Sequence, residues 1–271
     1  MPDVNHRHSR FLRNFAPAKQ NTPQRNGGKH VNNDKSTEPM KRFLSLLLSM
    51  VPLLASAQNI QLHYDLGRRI YPSQQGDRPN VTMTLEQFKA DKWGSWFYFV
   101  DVDFSRKFTE AAYTEVAREF SIGKGGLAAH VEYDGGLNKE GSFQQAMLVG
   151  AAWNGASADF SKTYGVQVMY KRYFKSYAYT SAYHSMQVTG VWSLTFAQKK
   201  MTFSGFVDCW RGEKANGHGQ LVVMTEPQLW YNITPHLSLG TEWEVSNNFV
   251  YNTYDDRSFF VNPTVGMKWN F

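Results

Sequence analysis

Phe259-Phe260-Val261-Asn262-Pro263-Thr264-Val265-Gly266-Met267-Lys268-Trp269-Asn270-Phe271 is the stretch whose reading decides the fold. Phe271, Trp269, Met267, Val265, Pro263, Val261 and Phe259 share one parity; Asn270, Lys268, Gly266, Thr264 and Asn262 share the other. Successive side chains of a strand point to opposite faces, so this is one apolar and one polar face. A last strand with aromatics at both ends of its apolar face suits an outer-membrane barrel. The aromatics sit in the two interfacial girdles and the terminal carboxylate at the periplasmic rim. The last strand of a soluble sandwich alternates equally well, so the rest of the chain must decide.

At the other end, residues 1–39 are polar and basic with little to pack. Met40-Lys41-Arg42 precedes the apolar run Phe43 to Leu54 and then Ala55-Ser56-Ala57. A basic start, a short apolar run and a small-x-small cleavage site read as a secretory signal peptide over 40–57, cleaved near Ala57. The run is too short to be a membrane-spanning helix. Translation is expected to begin at Met40, with 1–39 an over-extended or disordered extension.

Charge divides at the same place. Residues 1–57 carry nine Lys+Arg against three Asp+Glu, whereas 58–271 carry twenty of each. The basic balance of the whole chain therefore belongs to the segment expected to be removed, and nucleic-acid binding loses its support. Cys209 is the single cysteine, which leaves no intrachain disulfide and no cysteine-based metal site. Aromatics make up 15% of the chain while mean hydropathy is −0.49. That combination suits a barrel in which every second strand residue faces lipid.

Alternating runs recur at 58–66, 80–88, 93–104, 112–122, 127–134, 144–154, 160–173, 184–197, 201–210, 220–231, 236–247 and 259–271. Trp96, Tyr98, Val100, Val102 and Phe104 oppose Asp101 and Asp103; Leu237, Leu239, Trp243 and Val245 oppose Glu242 and Glu244. Connections after even strands are short, those after odd strands longer, as in Gly67–Pro79 and Asn248–Ser258. Short periplasmic turns opposite long external loops are the asymmetry of outer-membrane barrels, which a sandwich has no reason to show. The fold expected is all-β: one 12-stranded antiparallel transmembrane β-barrel over 58–271, in the bacterial outer membrane. Two spots fit badly. Arg118 falls on the lipid face, to snorkel or mark a bulge, and Pro227 suggests a bulge in the tenth strand.

The inward parity gathers carboxylates, with His63, His130, Lys171, Lys268 and inward aromatics. Carboxylates accept hydrogen bonds from hydroxyl and amino groups, and aromatic faces stack on flat rings. Glu86, Phe97, Phe99, Asp101, Asp103, Glu115, Glu132, Phe206, Trp230 and Glu242 are therefore candidate solute contacts in the lumen. A polar network that only fills a lumen would use the same residue types. Catalytic residues, a metal and a cofactor are not expected.

Thr84-Leu85-Glu86-Gln87-Phe88-Lys89-Ala90-Asp91-Lys92-Trp93 through Phe97-Tyr98-Phe99-Val100-Asp101 resembles the early strands of the nucleoside-specific channel-forming porins, the Tsx-like family. Glu115 to Ile122 resembles that family's next strand, and Val265 to Phe271 its last. The external loops here are shorter than the family's. The resemblance implies a monomeric twelve-stranded channel that passes nucleosides by diffusion, with outer-membrane lipid and a nucleoside-like solute as partners and no nucleic acid.

Two other classes stay open. A plugged structural or adhesive barrel would close the same lumen with ion pairs and aromatics. A lipid-modifying outer-membrane enzyme would need a nucleophile and base together, and the one suggestive pair, His184-Ser185, puts them on opposite faces of a strand.

Overall fold

A computed structural model describes residues 58–105, 109–138, 141–175, 181–214, 218–250 and 254–271. The expected signal peptide and N-terminal extension lie outside the described residues. Twelve strands follow one another: β1 Asn59–Asp65, β2 Val81–Asp91, β3 Gly94–Phe104, β4 Thr109–Ser121, β5 Leu127–Asn138 and β6 Ala146–Ala156. Then come β7 Lys162–Tyr173, β8 Tyr183–Phe196, β9 Met201–Glu213, β10 in two segments Gly219–Thr225 and Gln228–Asn232, β11 Leu237–Asn247 and β12 Phe259–Asn270. A one-turn helix, α1 Gly67–Ile70, and a two-residue bridge, Gly141–Ser142, complete the described elements.

Every strand pairs antiparallel with its neighbours, and β1 pairs with β12 from Asn59↔Asn270 to Asp65↔Thr264. That last pairing closes the sheet and leaves no edge, the condition for a sheet to meet hydrocarbon. Among the described residues no helix is long and apolar enough to cross a membrane. The fold is a closed 12-stranded antiparallel β-barrel of the outer-membrane type.

The expected parity is present. Phe259, Val265, Met267, Trp269 and Phe271 of the last strand are exposed, while Asn262 and Thr264 are buried. Around the ring Trp96, Val116, Val149, Met186 and Trp243 continue the exposed apolar face. Leu85 and Val102 also share the outward parity but are buried in an apolar cluster with Ile60, Met83, Val100 and Phe104 packed against them.

Several strands run further than alternation alone indicates. β5 extends past 134 to Asn138, through Gly135 and Gly136, which the sequence places in the long connection after the fifth strand. A Cβ on Gly136 would lie 2.3 Å from the Ala112 carbonyl oxygen, so glycine here serves a close strand approach and not a turn. β9 likewise continues past 210 to Glu213. The tenth strand is interrupted at Glu226-Pro227, but no bulge forms: Val207↔Thr225 and Ser204↔Gln228 keep one register on β9. Proline lacks the N–H that a ladder needs, and the pairing simply skips it.

Arg118 marks no bulge, because it stays in register with Trp96 and Val131. Its guanidinium pairs with Asp91 at 2.9 Å through both nitrogens, 5.0 Å from the Trp96 ring and 4.9 Å from the Phe120 ring. Asp91 ends β2 beside the short turn, so the cation is satisfied at that rim.

Candidate functional site

One wall of the lumen is built by β3, β4 and β5. Phe97 and Phe99 lie 6.1 Å apart, Phe99 and Tyr113 6.1 Å, and Tyr113 and Phe143 6.0 Å. The Tyr113 hydroxyl donates to Glu115 at 3.0 Å. Glu115, Glu132 and Asp134 bring carboxylate oxygens within 4.8 Å of one another, all buried. Their charge meets donors in the wall itself. Lys171 Nζ lies 2.8 Å from Asp134, and His130 Nε2 lies 3.0 Å from Glu132, with Nδ1 3.2 Å from Glu119. The arrangement reads as a hydrogen-bonded ionic network, which suits burial of carboxylates better than their isolation would.

On the adjoining β1–β3 surface, Asp101 accepts from Thr84 and Asp103 accepts from Thr82 at 2.6 Å. Glu86 accepts from Asn59 at 3.0 Å. β10, β11, β12 and β1 continue this surface, and Asn59, Gln61 and His63 link Glu86 toward Glu242. Trp230 Nε1 donates to Gln228 at 2.8 Å, Gln228 donates to Glu242 at 2.7 Å, and His63 Nε2 lies 4.0 Å from Glu242. Lys268 Nζ sits 4.2 Å from the Trp230 ring centre, a cation–π contact inside the lumen.

The ten sequence-derived candidates therefore do not form one pocket. Phe97, Phe99, Glu115 and Glu132 come together. Asp101 and Asp103 are held by threonines of the adjoining strand, and Trp230 and Glu242 join a network that reaches Glu86 through His63, Gln61 and Asn59. Phe206 packs against an apolar cluster. Lumen side chains that keep partial exposure, among them Glu86, Phe97, Glu119, Asn154, Gln167, Phe206 and Lys268, gather toward the rim of short turns. Toward the other rim the interior is buried.

That buried half holds what alternation does not reveal. Leu148, Met169, Tyr173, Trp210, Met224 and Phe260 point inward and pack together, with Phe249 and Val250 of the last long connection added to them. In Met147-Leu148-Val149, Val168-Met169-Tyr170 and Val222-Val223-Met224 both parities are apolar. Such continuous apolar runs signal a strand buried on both faces. Above this cluster the β1–β2 connection folds over the mouth. Arg78 donates to Asp65 at 2.8 Å and to Glu244 at 2.9 Å, all three side chains almost fully buried. Tyr71 meets Phe260 edge-on at 5.1 Å, and Gln74 donates to Asp255 of the last connection at 2.7 Å.

His184 and Ser185 do lie on opposite faces. The exposed imidazole contacts Tyr170 and Arg172, whereas buried Ser185 donates to the Arg211 carbonyl at 2.7 Å.

A family model with the description "Domain of unknown function (DUF5020)" matches residues 57–271. No curated protein matches the chain. Among solved structures, a NanC porin is similar with a TM-score of 0.53 at 12% identity, covering 79% of this chain and 99% of that one. A KdgM porin gives 0.45 at 12%, covering 79% and 98%. At such identities the likeness is one of fold.

Proposed function

The chain belongs to the family described as Domain of unknown function (DUF5020), and for this member we propose an outer-membrane channel that passes small polar solutes, nucleosides first. The observation that carries this reading is that the inward Glu86, Phe97, Glu119, Asn154, Gln167 and Phe206 all keep partial exposure. Flat rings can stack there while carboxylates and amides accept from or donate to hydroxyl and amino groups. The NanC likeness supports the barrel as a frame for such passage, and the outward apolar belt supports a place in lipid as a monomer. Residues 40–57 supply the export signal in this account.

A second reading, a sealed barrel, is favoured by the apolar cluster and the Arg78 pairings across the long-loop mouth. Liposome swelling with the folded protein separates the two. Saturable entry of nucleosides, faster than sugars or amino acids of similar size, is the expected outcome. Equal entry of all three makes it a general pore. No swelling from a protein that runs as a folded, heat-modifiable barrel favours the sealed form.

A further inference from the structure

The outward face of β7–β9 carries a feature that the lumen does not explain. Arg172 of β7 is register partner to His184 of β8, and the guanidinium contacts the imidazole directly. The Tyr170 hydroxyl contacts the other ring nitrogen, with the two rings 5.7 Å apart. Arg211 of β9 donates to the His184 carbonyl at 3.3 Å. Three cationic or donor-bearing side chains thus converge on one histidine at the long-loop end of the barrel. The surface toward mid-barrel is apolar and exposed, with Val168 at 47%, Met186 at 63% and Val188 at 45%.

Among the described residues the only carboxylate at this cluster is Glu213, 3.4 Å from Arg211; none pairs with Arg172. The contrast with the other rim is informative. There Arg118 also lies on the outward face, but Asp91 grips it through both nitrogens and two rings sandwich it. A cation facing lipid needs an anion or an interface, and Arg118 has one built in. Arg172 is set instead against the His184 imidazole, with no carboxylate among the described residues to hold it.

We propose that Tyr170, Arg172, His184 and Arg211 form an external binding site for the phosphate of a membrane lipid headgroup in the outer leaflet. Phosphate oxygens accept from a planar guanidinium in the fork geometry that lysine cannot offer, and the phenol adds a donor. The lipid's acyl chains would then lie on Val168, Met186 and Val188. Anionic headgroups attract clustered basic residues at the membrane surface. The site rests on the outer-membrane reading above and on its long-loop rim being the outer one.

The test uses the full chain extracted from membranes in mild detergent. Native mass spectrometry measures retention of a phosphorylated outer-leaflet glycolipid, of its dephosphorylated counterpart and of inorganic phosphate. The site predicts retention of the phosphorylated lipid alone, with a loss of about tenfold in the Arg172→Gln/Arg211→Gln double variant. Arg68→Gln, on the same rim but outside the cluster, should leave retention unchanged. Heat-modifiable mobility reports whether the double variant folds. Should it not fold, Arg172→Lys, which keeps the charge and loses the fork, must still weaken retention. Equal retention by the folded variants, or of the dephosphorylated lipid, overturns the site. Displacement by inorganic phosphate at the lipid's own concentration overturns the lipid as its occupant. A wild-type chain that folds yet never enters bilayers overturns the membrane reading itself, which the retention assay alone would not.

Discussion

Replacing Arg78 with alanine should open the long-loop mouth of the barrel. Arg78 reaches from the β1–β2 connection to Asp65 at 2.8 Å and Glu244 at 2.9 Å, and the three side chains are at most 1% exposed. Its removal leaves two carboxylates buried in the wall without their shared cation. Breaking a buried ion pair from one side costs about 3–5 kcal/mol. The strand ladder does not involve Arg78, so the relief comes locally: segment 67–80 lifts and lets water reach the carboxylates. If the whole penalty falls on that equilibrium, the open fraction rises roughly a hundredfold or more. Tyr71 against Phe260 and Gln74 against Asp255 persist and temper the effect. Hydrogen exchange at Gly67–Asn80 is the assay, with wild type and Arg78→Ala compared in the same detergent. Faster exchange confined to 67–80, and recovery when Asp65→Asn and Glu244→Gln are added, is the expected outcome. Unchanged exchange in Arg78→Ala would refute the latch.

Three further outcomes follow from other parts of the barrel. Arg118→Ala should lower the urea midpoint, because the contacts with the Trp96 and Phe120 rings contribute about 1–2 kcal/mol together; a midpoint equal to wild type contradicts that packing. Gly126→Ala should cut refolding yield sharply, since φ is +80° and a Cβ there would lie 2.0 Å from the Asn154 carbonyl oxygen; normal yield would mean that the turn can move aside. The Ser157 and Ser161 bonds to Asp159, in the β6–β7 turn, hold its carboxyl at about 2, below its ordinary 3.8. A lowered value stabilises the folded turn above the ordinary pKa, and that contribution fades as pH falls from about 4 toward 2. Protection of the 157–161 amides, taken relative to their intrinsic exchange rates, should therefore fall over that range in wild type and stay flat with pH in Asp159→Asn.

Alternation made the wall of this barrel legible. Trp269 and Met267 against Asn262 and Thr264 repeat a period of two that survives any loop, and twelve such runs matched twelve strands. The strand end at 138 was not legible, because Gly135-Gly136 reads as the start of a connection unless the close approach of Ala112 is known. The interior was half legible. Polar inward residues such as Glu115 and Glu242 stand out by parity, whereas Leu148 and Met224 merge into apolar runs whose two faces cannot be told apart. Arg78 was invisible for a different reason: it lies in a connection, and its partner Glu244 is 166 residues away. Arg118 looked like a defect until Asp91, brought close by the turn after β2, supplied its anion.

Passage of solutes through the lumen is put to the test by planar-bilayer recording under a salt gradient. Among the described residues the lumen walls carry more carboxylates than the cations Arg78, Lys171 and Lys268. A path between those walls should favour cations. The account predicts discrete conductance steps with a cation-selective reversal potential, and larger or more frequent steps in Arg78→Ala. Silent bilayers with both proteins, or anion selectivity, would contradict it.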